Sequence, residues 1–214
     1  IRSGLRVLLA LLLVAPYLIW LGRVREWTWP ALAEWLPLLL TSTGQAFWSS
    51  LFAMVFGFFL FAGAQSWLTP RAKRACEFAL LFPNMIPPLF LVLALLSWVT
   101  PFAAFPYGVA AVIVAHVVMN AGLVAVALDR LVQAKLGGMA ETAWTLGSSR
   151  ALFWRKVGWP ALRADLACLM LFVFSICFTS FSIPLVLGGG RQATLEVAVF
   201  DAIRSEGAWD KAVI

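Results

Sequence analysis

The sequence predicts an all-α integral membrane protein, a bundle of about six transmembrane helices. Of its 214 residues, 63% are hydrophobic and 12% are charged, whereas a soluble domain has about 45–50% apolar and about 25% charged residues. Three long stretches, 35–70, 78–128 and 166–190, contain no Asp, Glu, Lys or Arg. Because a helix needs about 20 apolar residues to cross a bilayer, these stretches hold several spans.

The apolar runs predict five spans and the start of a sixth. They cover residues 7–22, 43–65, 76–100, 106–128 and 166–187, and a sixth would begin near Trp209 and be truncated at Ile214. The first is interpreted as an uncleaved span, since no cleavage site of small residues follows it. The predicted domains are an N-terminal helix with a periplasmic loop over 1–42 and a transmembrane domain over 43–214, whose cytoplasmic loop is 129–165.

The positive charges predict the orientation of these spans. With a cytoplasmic N-terminus, the inside segments hold eleven Lys and Arg residues and the outside segments hold four, which agrees with the positive-inside rule. This topology accounts for the net charge of +6 in a protein surrounded by membrane lipid, with no nucleic acid as a partner. The inside residues are Arg2, Arg6, Arg71, Lys73, Arg74, Arg130, Lys135, Arg150, Arg155, Lys156 and Arg163, and the outside residues are Arg23, Arg25, Arg191 and Arg204.

Three prolines interrupt the third span. Pro83, Pro87 and Pro88 each lack a backbone N–H and clash with the preceding turn, so the span is predicted to be broken or sharply kinked near 83–88. Broken helices are common at the transport sites of membrane proteins, which makes Asn84 a candidate for the substrate pathway. A packing kink without ligand contact is the alternative.

The fourth span contains two polar residues, His116 and Asn120. They share one face of a helix, because residues four apart are neighbours. Polar residues inside a bilayer usually face the bundle interior or a pathway, so both join Asn84 as candidate pathway residues. A hydrogen bond between helices, worth about 0.6 kcal/mol on average, is the alternative explanation.

The charged segment 129–165 separates the fourth and fifth spans. Met139 to Leu146 is predicted to form a short helix that Gly147 ends. A second helix is predicted from Ser149 to Gly158, and Pro160 is expected to begin the return to the membrane.

This segment carries a spaced motif. The sequence reads Glu141-Thr142-Ala143, three residues, Gly147, nine residues, and then Val157-Gly158-Trp159-Pro160. The spacing resembles the EAA loop of the permeases of ABC importers. Thr142, Val157 and Trp159 stand where that motif has Ala, Ile and Leu.

The resemblance implies a type I ABC importer permease fold in the bacterial inner membrane. It implies a subunit that is not an enzyme and holds no cofactor. A periplasmic binding protein would deliver a small nutrient, and two permease halves, in one longer chain or in separate copies, would form the pathway. ABC ATPase subunits on separate chains would dock on the EAA loop. The residues it assigns to coupling are Glu141, Thr142, Ala143, Gly147, Val157 and Pro160.

Two runs refine the resemblance. Trp159 to Arg163 and Ser180 to Ile203 look most like the permeases of thiamine importers, which are relatives of the ferric-iron permeases. The spans carry no cluster of carboxylates or tyrosines that would hold a trivalent ion, which favours thiamine over ferric iron. The glycines at 188–190 are interpreted as a helix breaker, since no Lys-Ser/Thr follows as in a P-loop, and 194–204 is predicted to be an amphipathic helix.

Two other classes of protein fit the sequence less well. A secondary transporter driven by an ion gradient would be expected to have titratable residues within its spans and no cytoplasmic docking helix. The sequence shows the opposite on both points. If the chain were a membrane scaffold, the spacing of the motif would be a coincidence. No P-loop, HExxH or Gly-x-Ser-x-Gly pattern occurs, and the three Cys and one His lack metal-binding spacing, so no catalytic residue and no metal site are predicted.

Overall fold

The computed structural model describes residues 32–67, 69–101, 104, 106–190 and 194–205, together with Val14, Ala15 and Leu18. Apart from those three positions, the predicted first span lies outside the described residues, and so does the predicted start of a sixth. Contacts between Cα atoms divide the chain into two compact units, residues 41–192 and residues 1–40 with 193–214.

The described part of the chain is helical, without strands, which confirms the predicted fold class. Three helical segments, 33–65, 109–136 and 150–178, are long and apolar enough to cross a membrane, and a bent pair of helices makes a fourth if it is one span. The helices are α1 (Leu32–Trp67), α2 (Pro70–Met85), α3 (Pro88–Val99), α4 (Val109–Leu136), α5 (Met139–Thr145), α6 (Arg150–Phe153), α7 (Trp159–Phe178), α8 (Ser182–Leu187) and α9 (Leu195–Ser205), with a π-helical turn at Trp154–Gly158.

The break predicted in the third span is confirmed. α2 and α3 meet at Ile86 and Pro87 and are bent by 102°. Ile86 is extended, with φ −94° and ψ 147°, the conformation that a residue before proline prefers. Pro88 then begins α3, where its missing N–H costs no helical hydrogen bond.

Several predicted boundaries are wrong. α1 begins at Leu32, so 32–42 is helical where a periplasmic loop was expected. Pro37 lies in the second turn and removes only the hydrogen bond to the carbonyl of Ala33. α4 continues to Leu136, beyond the predicted end at 128.

The fifth span also differs from its prediction. α6, the π-helical turn and α7 form one helical segment from 150 to 178, so Pro160 does not separate a loop helix from the span. The predicted span 166–187 is instead interrupted after Phe178, and α8 begins at Ser182. Pro184 has no N–H to continue a helix from the turn before it. The helix predicted over 194–204 is confirmed as α9.

α4 lies at the centre of the unit formed by 41–192. One group of buried apolar side chains joins Val124 and Leu128 of α4 to Ala46 and Ala53 of α1 and to Val173 of α7. A second joins α4 to α3 and α8. Small residues allow the closest approaches, because a Cβ at Gly122 would lie 2.0 Å from the carbonyl oxygen of Leu80 in α2. Close backbone packing of this kind is typical of helices in membranes.

Candidate functional site

The helix predicted for ATPase docking is α5, and a glycine turn closes it. Gly147 has a φ of +77°, a conformation that glycine adopts at little cost. Its N–H donates to the carbonyl of Trp144 (3.0 Å), and the N–H of Ser148 donates to that of Ala143 (2.9 Å). This is a Schellman motif, so Gly147 ends α5 as predicted.

The two faces of α5 have different surroundings. Ala140 and Ala143 pack against a local core of Leu136, Phe153 and Leu162. Other side chains at this helix and its end are exposed, namely Glu141 and Trp144 and Leu146, which are exposed by 46% and 82%. The two alanines therefore hold α5 in place, whereas Trp144 and Leu146 stay exposed, with the Arg150 guanidinium 5.7 Å from the centre of the Trp144 ring.

The end of the motif lies in the π-helical turn and the start of α7. Gly158 is buried, and a Cβ there would lie 2.3 Å from the Trp154 ring, so the ring packs directly on the glycine backbone. Val157 and Trp159 are exposed by 36% and 60%. The large Trp159 is accommodated where the motif has Leu because its side chain lies on the surface. Pro160 is the second residue of α7 and directly follows the π-helical turn and Trp159.

The three predicted pathway residues lie around one stretch of α4. His116 and Asn120 are 1% and 0% exposed, and the Asn120 Nδ2 donates to the His116 carbonyl at 2.9 Å. The Asn84 Nδ2, from the end of α2 beside the break, donates to the carbonyl of Met119 at 2.5 Å. The structure therefore places all three in helix packing around α4, with Asn84 bonded to the backbone of α4 and not to the side chain of His116 or Asn120.

Two further polar residues, which the sequence did not predict, lie on the side of α4 that carries His116 and Asn120. Ser49 Oγ lies 3.2 Å from His116 Nδ1, and Gln45 Nε2 donates to the Cys177 carbonyl at 2.9 Å. Ser42, Gln45 and Ser49 recur three and four residues apart, a spacing that places them on one face of α1 and could have revealed them. Within the described residues, Gln45 Oε1, His116 Nε2 and Asn120 Oδ1 are buried without a hydrogen-bond partner.

A buried carboxylate, also missed, joins three helices near the end of α4. Asp129 Oδ1 lies 2.6 Å from Lys73 Nζ, and its side chain is 5% exposed. Gln65 of α1 donates to the same oxygen at 2.5 Å, and Gln133 donates to Oδ2 at 2.6 Å. The amide donors and the ammonium offset the cost of burying the charge.

Two further ion pairs lie at the base of the segment 129–165. Lys135 Nζ, at the end of α4, lies 2.5 Å from Asp165 Oδ2 in α7. Arg130, one turn earlier, pairs with Glu77 of α2 at 2.7 Å. The two chain segments that lead into and out of α5 are therefore joined to each other and to α2.

An apolar groove of about 700 Å³ runs between α1, α2 and α4. Pro83, beside the break, lines it, but Asn84, His116 and Asn120 do not. A groove without polar side chains has nothing to orient a polar solute, so the candidate pathway residues and the groove are separate features. Its walls are Phe52, Phe56, Leu60, Ala79, Leu80, Pro83, Ala110, Ile113, Val114, Val117, Val118, Ala121 and Gly122.

Known proteins named thiamine transport system permease protein ThiP are similar to this chain. The Salmonella typhimurium protein is 36% identical over 99 residues, 46% of this chain and 18% of the relative. The Brucella melitensis protein is 37% identical over 103 residues, with 45% and 18% covered. The Haemophilus influenzae protein is 28% identical over 192 residues, 83% of this chain and 36% of the relative.

These relatives are longer proteins, and the chain matches between 18% and 36% of their length. No protein-family model matches the sequence. The similarity agrees with the helical spans and with the resemblance stated from the motif. The chain is thus confirmed as similar to the permeases of ABC importers, and among them most like those of thiamine transport.

Proposed function

We propose that the chain is a transmembrane permease subunit of an ATP-driven importer in the bacterial inner membrane. It forms part of the pathway for a small nutrient, receives that nutrient from a periplasmic binding protein, and works with a second permease half. Separate ATPase subunits hydrolyse ATP and dock on the segment 129–165. The similarity to thiamine transport permeases supports this proposal, and thiamine is the favoured substrate.

One observation carries the docking proposal. α5 presents Glu141, Trp144 and Leu146 outward on a short helix that Gly147 closes and two alanines anchor. The Arg150 guanidinium lies 5.7 Å from the centre of the Trp144 ring, which leaves an exposed surface made by Trp144, Leu146 and the Glu141 carboxylate. It suits a groove on a soluble partner, since aromatic side chains in a pocket contribute much of the affinity of protein interfaces.

Changing the helix and its turn should uncouple the transporter. Gly147→Val forces a β-branched residue into a left-handed conformation, which costs about 1–2 kcal/mol or more, and Glu141→Lys reverses the exposed charge. Both variants are expected to lose most ATPase in pull-downs from membranes and most substrate uptake. Gly63→Val is the matched control, because Gly63 is helical and a Cβ there would meet nothing within 4 Å.

Normal ATPase capture and normal uptake in both variants would contradict docking through α5. Loss of both in Gly63→Val as well would show that the glycine change acts on membrane insertion, so insertion is measured for every variant by its yield in the membrane fraction.

The polar side chains around α4 support an organic substrate. His116 and Asn120 are buried and Asn84 is half-buried. Their side chains are amide and imidazole groups and not carboxylates, and weak polar contacts let a solute pass without a deep energy minimum. Phe47 and Trp48 lie on α1 next to Ser49 and are exposed by 43% and 48%. An aromatic face attracts a cation such as the thiazolium of thiamine by roughly 0.5–2 kcal/mol.

Uptake measurements test the substrate. A strain that lacks the transporter is expected to lose uptake of labelled thiamine, and the full-length transporter should restore it. Asn120→Leu, which removes the buried amide of α4, should lower the uptake rate while ATPase capture stays normal. Unchanged thiamine uptake in the deletion strain, together with a fall in ferric-iron uptake, would replace thiamine by iron as the substrate.

A further inference from the structure

The stretch from α6 to the first turns of α7 is strongly basic. Residues 150–163 contain Arg150, Arg155, Lys156 and Arg163 and no Asp or Glu. All four side chains are exposed. The nearest carboxylate along the chain, Asp165, is already paired with Lys135 at 2.5 Å.

Cations and tryptophans share this surface. Lys156, Trp159 and Arg163 follow one another at spacings of three and four residues, which places them along one face of the helical segment. Trp159 is 60% exposed, and Trp154 is 45% exposed although its ring rests on Gly158. We refer to Arg155, Lys156, Trp159 and Arg163 as the basic–tryptophan surface.

Among the residues that the structure describes, no carboxylate neutralises the charge of this surface. Lys73, Arg130 and Lys135 each have a carboxylate partner at 2.5–2.7 Å. Arg155, Lys156 and Arg163 have none within 4.0 Å among the described residues. These three unpaired cations therefore create a positive electrostatic potential outside the chain.

We propose that the basic–tryptophan surface binds the headgroups of anionic phospholipids in the adjacent leaflet. The surface is continuous with a helical segment, 150–178, that is long and apolar enough to cross a membrane, so it lies where such a segment meets the headgroups. Tryptophan is enriched at that depth, and lysine and arginine near a membrane surface attract anionic lipid. The bound lipid would hold the turn that follows α5 at a fixed depth relative to the membrane.

An acidic protein surface would match the charge alone. It would not account for two exposed tryptophans at the start of a membrane-spanning segment, which suit the boundary between headgroups and acyl chains. The inference does not rest on the proposed transport function, since it needs only a chain that spans the membrane. Its failure would therefore leave the docking and substrate proposals unchanged.

Native mass spectrometry of the purified full-length transporter tests the inference. Phosphatidylglycerol or phosphatidylcholine is titrated into detergent micelles, and bound lipid is counted. Lys156→Gln/Arg163→Gln is expected to bind phosphatidylglycerol about 30-fold more weakly than the unchanged protein, because each cation near the membrane surface contributes a factor of about five. Binding of the zwitterionic phosphatidylcholine should not change.

The matched control is Arg71→Gln/Arg74→Gln, which also removes two exposed cations from the same predicted side of the membrane. This control measures the general effect of cations near the membrane surface, and it should lower phosphatidylglycerol binding less than Lys156→Gln/Arg163→Gln does. Lys156→Arg/Arg163→Lys keeps the charges and should bind as the unchanged protein does, which separates the loss of charge from misfolding. Equal losses in both Gln pairs, or no loss in either, would overturn the proposal. Unchanged lipid binding with lost ATPase capture would assign the surface to the ATPase instead.

Discussion

Replacing Gly122 with alanine is expected to force α2 and α4 apart and to destabilise the protein by about 3 kcal/mol, the upper part of the usual range for overpacking. The added Cβ would lie 2.0 Å from the carbonyl oxygen of Leu80 and 2.7 Å from its carbon. Both atoms belong to the backbone of α2, so no side-chain rotation can relieve the overlap. The whole of α2 must move, together with the ion pairs that it makes with α4.

Thermal unfolding in detergent, followed by tryptophan fluorescence, measures the effect. A loss of about 3 kcal/mol corresponds to a fall in midpoint of about 6–12 °C for a chain of this size. Gly63→Ala is the matched control, because a Cβ there meets nothing within 4 Å, and alanine favours the helix by up to about 1 kcal/mol. Equal midpoints for the two variants would contradict the close approach of α2 and α4.

Removing the Asp129 carboxylate is expected to cost about 3–5 kcal/mol, as breaking a buried ion pair does when one charge is left behind. In Asp129→Ala, Lys73 loses its partner at 2.6 Å while its side chain is 20% exposed. Gln65 and Gln133 also lose their acceptor. Unfolding in increasing denaturant, measured in the same detergent, gives the free-energy difference.

Two variants show whether burial causes this loss. Arg130→Ala breaks the neighbouring pair with Glu77, but the Arg130 side chain is 65% exposed, so a loss of only about 0–1 kcal/mol is expected. Asp129→Leu/Lys73→Met replaces the buried pair by apolar groups and should be more stable than Asp129→Ala. A double variant as unstable as the single one would show that the amide contacts, rather than the unpaired lysine, carry the energy.

The sequence predicted those features that a short stretch of chain determines by itself. Three prolines within six residues are enough to break a helix, and the 102° bend between α2 and α3 follows from them. The turn at Gly147 is also determined locally, because a Schellman motif needs only one glycine and two carbonyls of the helical turn before it. The shared face of His116 and Asn120 required only their spacing.

Features that depend on distant parts of the chain could not be predicted in the same way. Gln45 and Cys177 are 132 residues apart, and Lys73 and Asp129 are 56 apart, so neither contact leaves a local pattern. Asp129 was expected in a cytoplasmic loop because charges usually end a span. It is buried instead because Lys73, Gln65 and Gln133 surround it, and α4 continues past it.

The helical segment from 150 to 178 is long enough to act as a lever. Its 29 residues make a rod about 43 Å long at a rise of about 1.5 Å per residue. A rotation of about 5° about its Arg150 end would move the other end sideways by about 4 Å. That displacement exceeds the 2.9 Å hydrogen bond between Gln45 Nε2 and the Cys177 carbonyl. A rotation of about 5° beside α5 would therefore be enough to break this hydrogen bond at the other end of the segment.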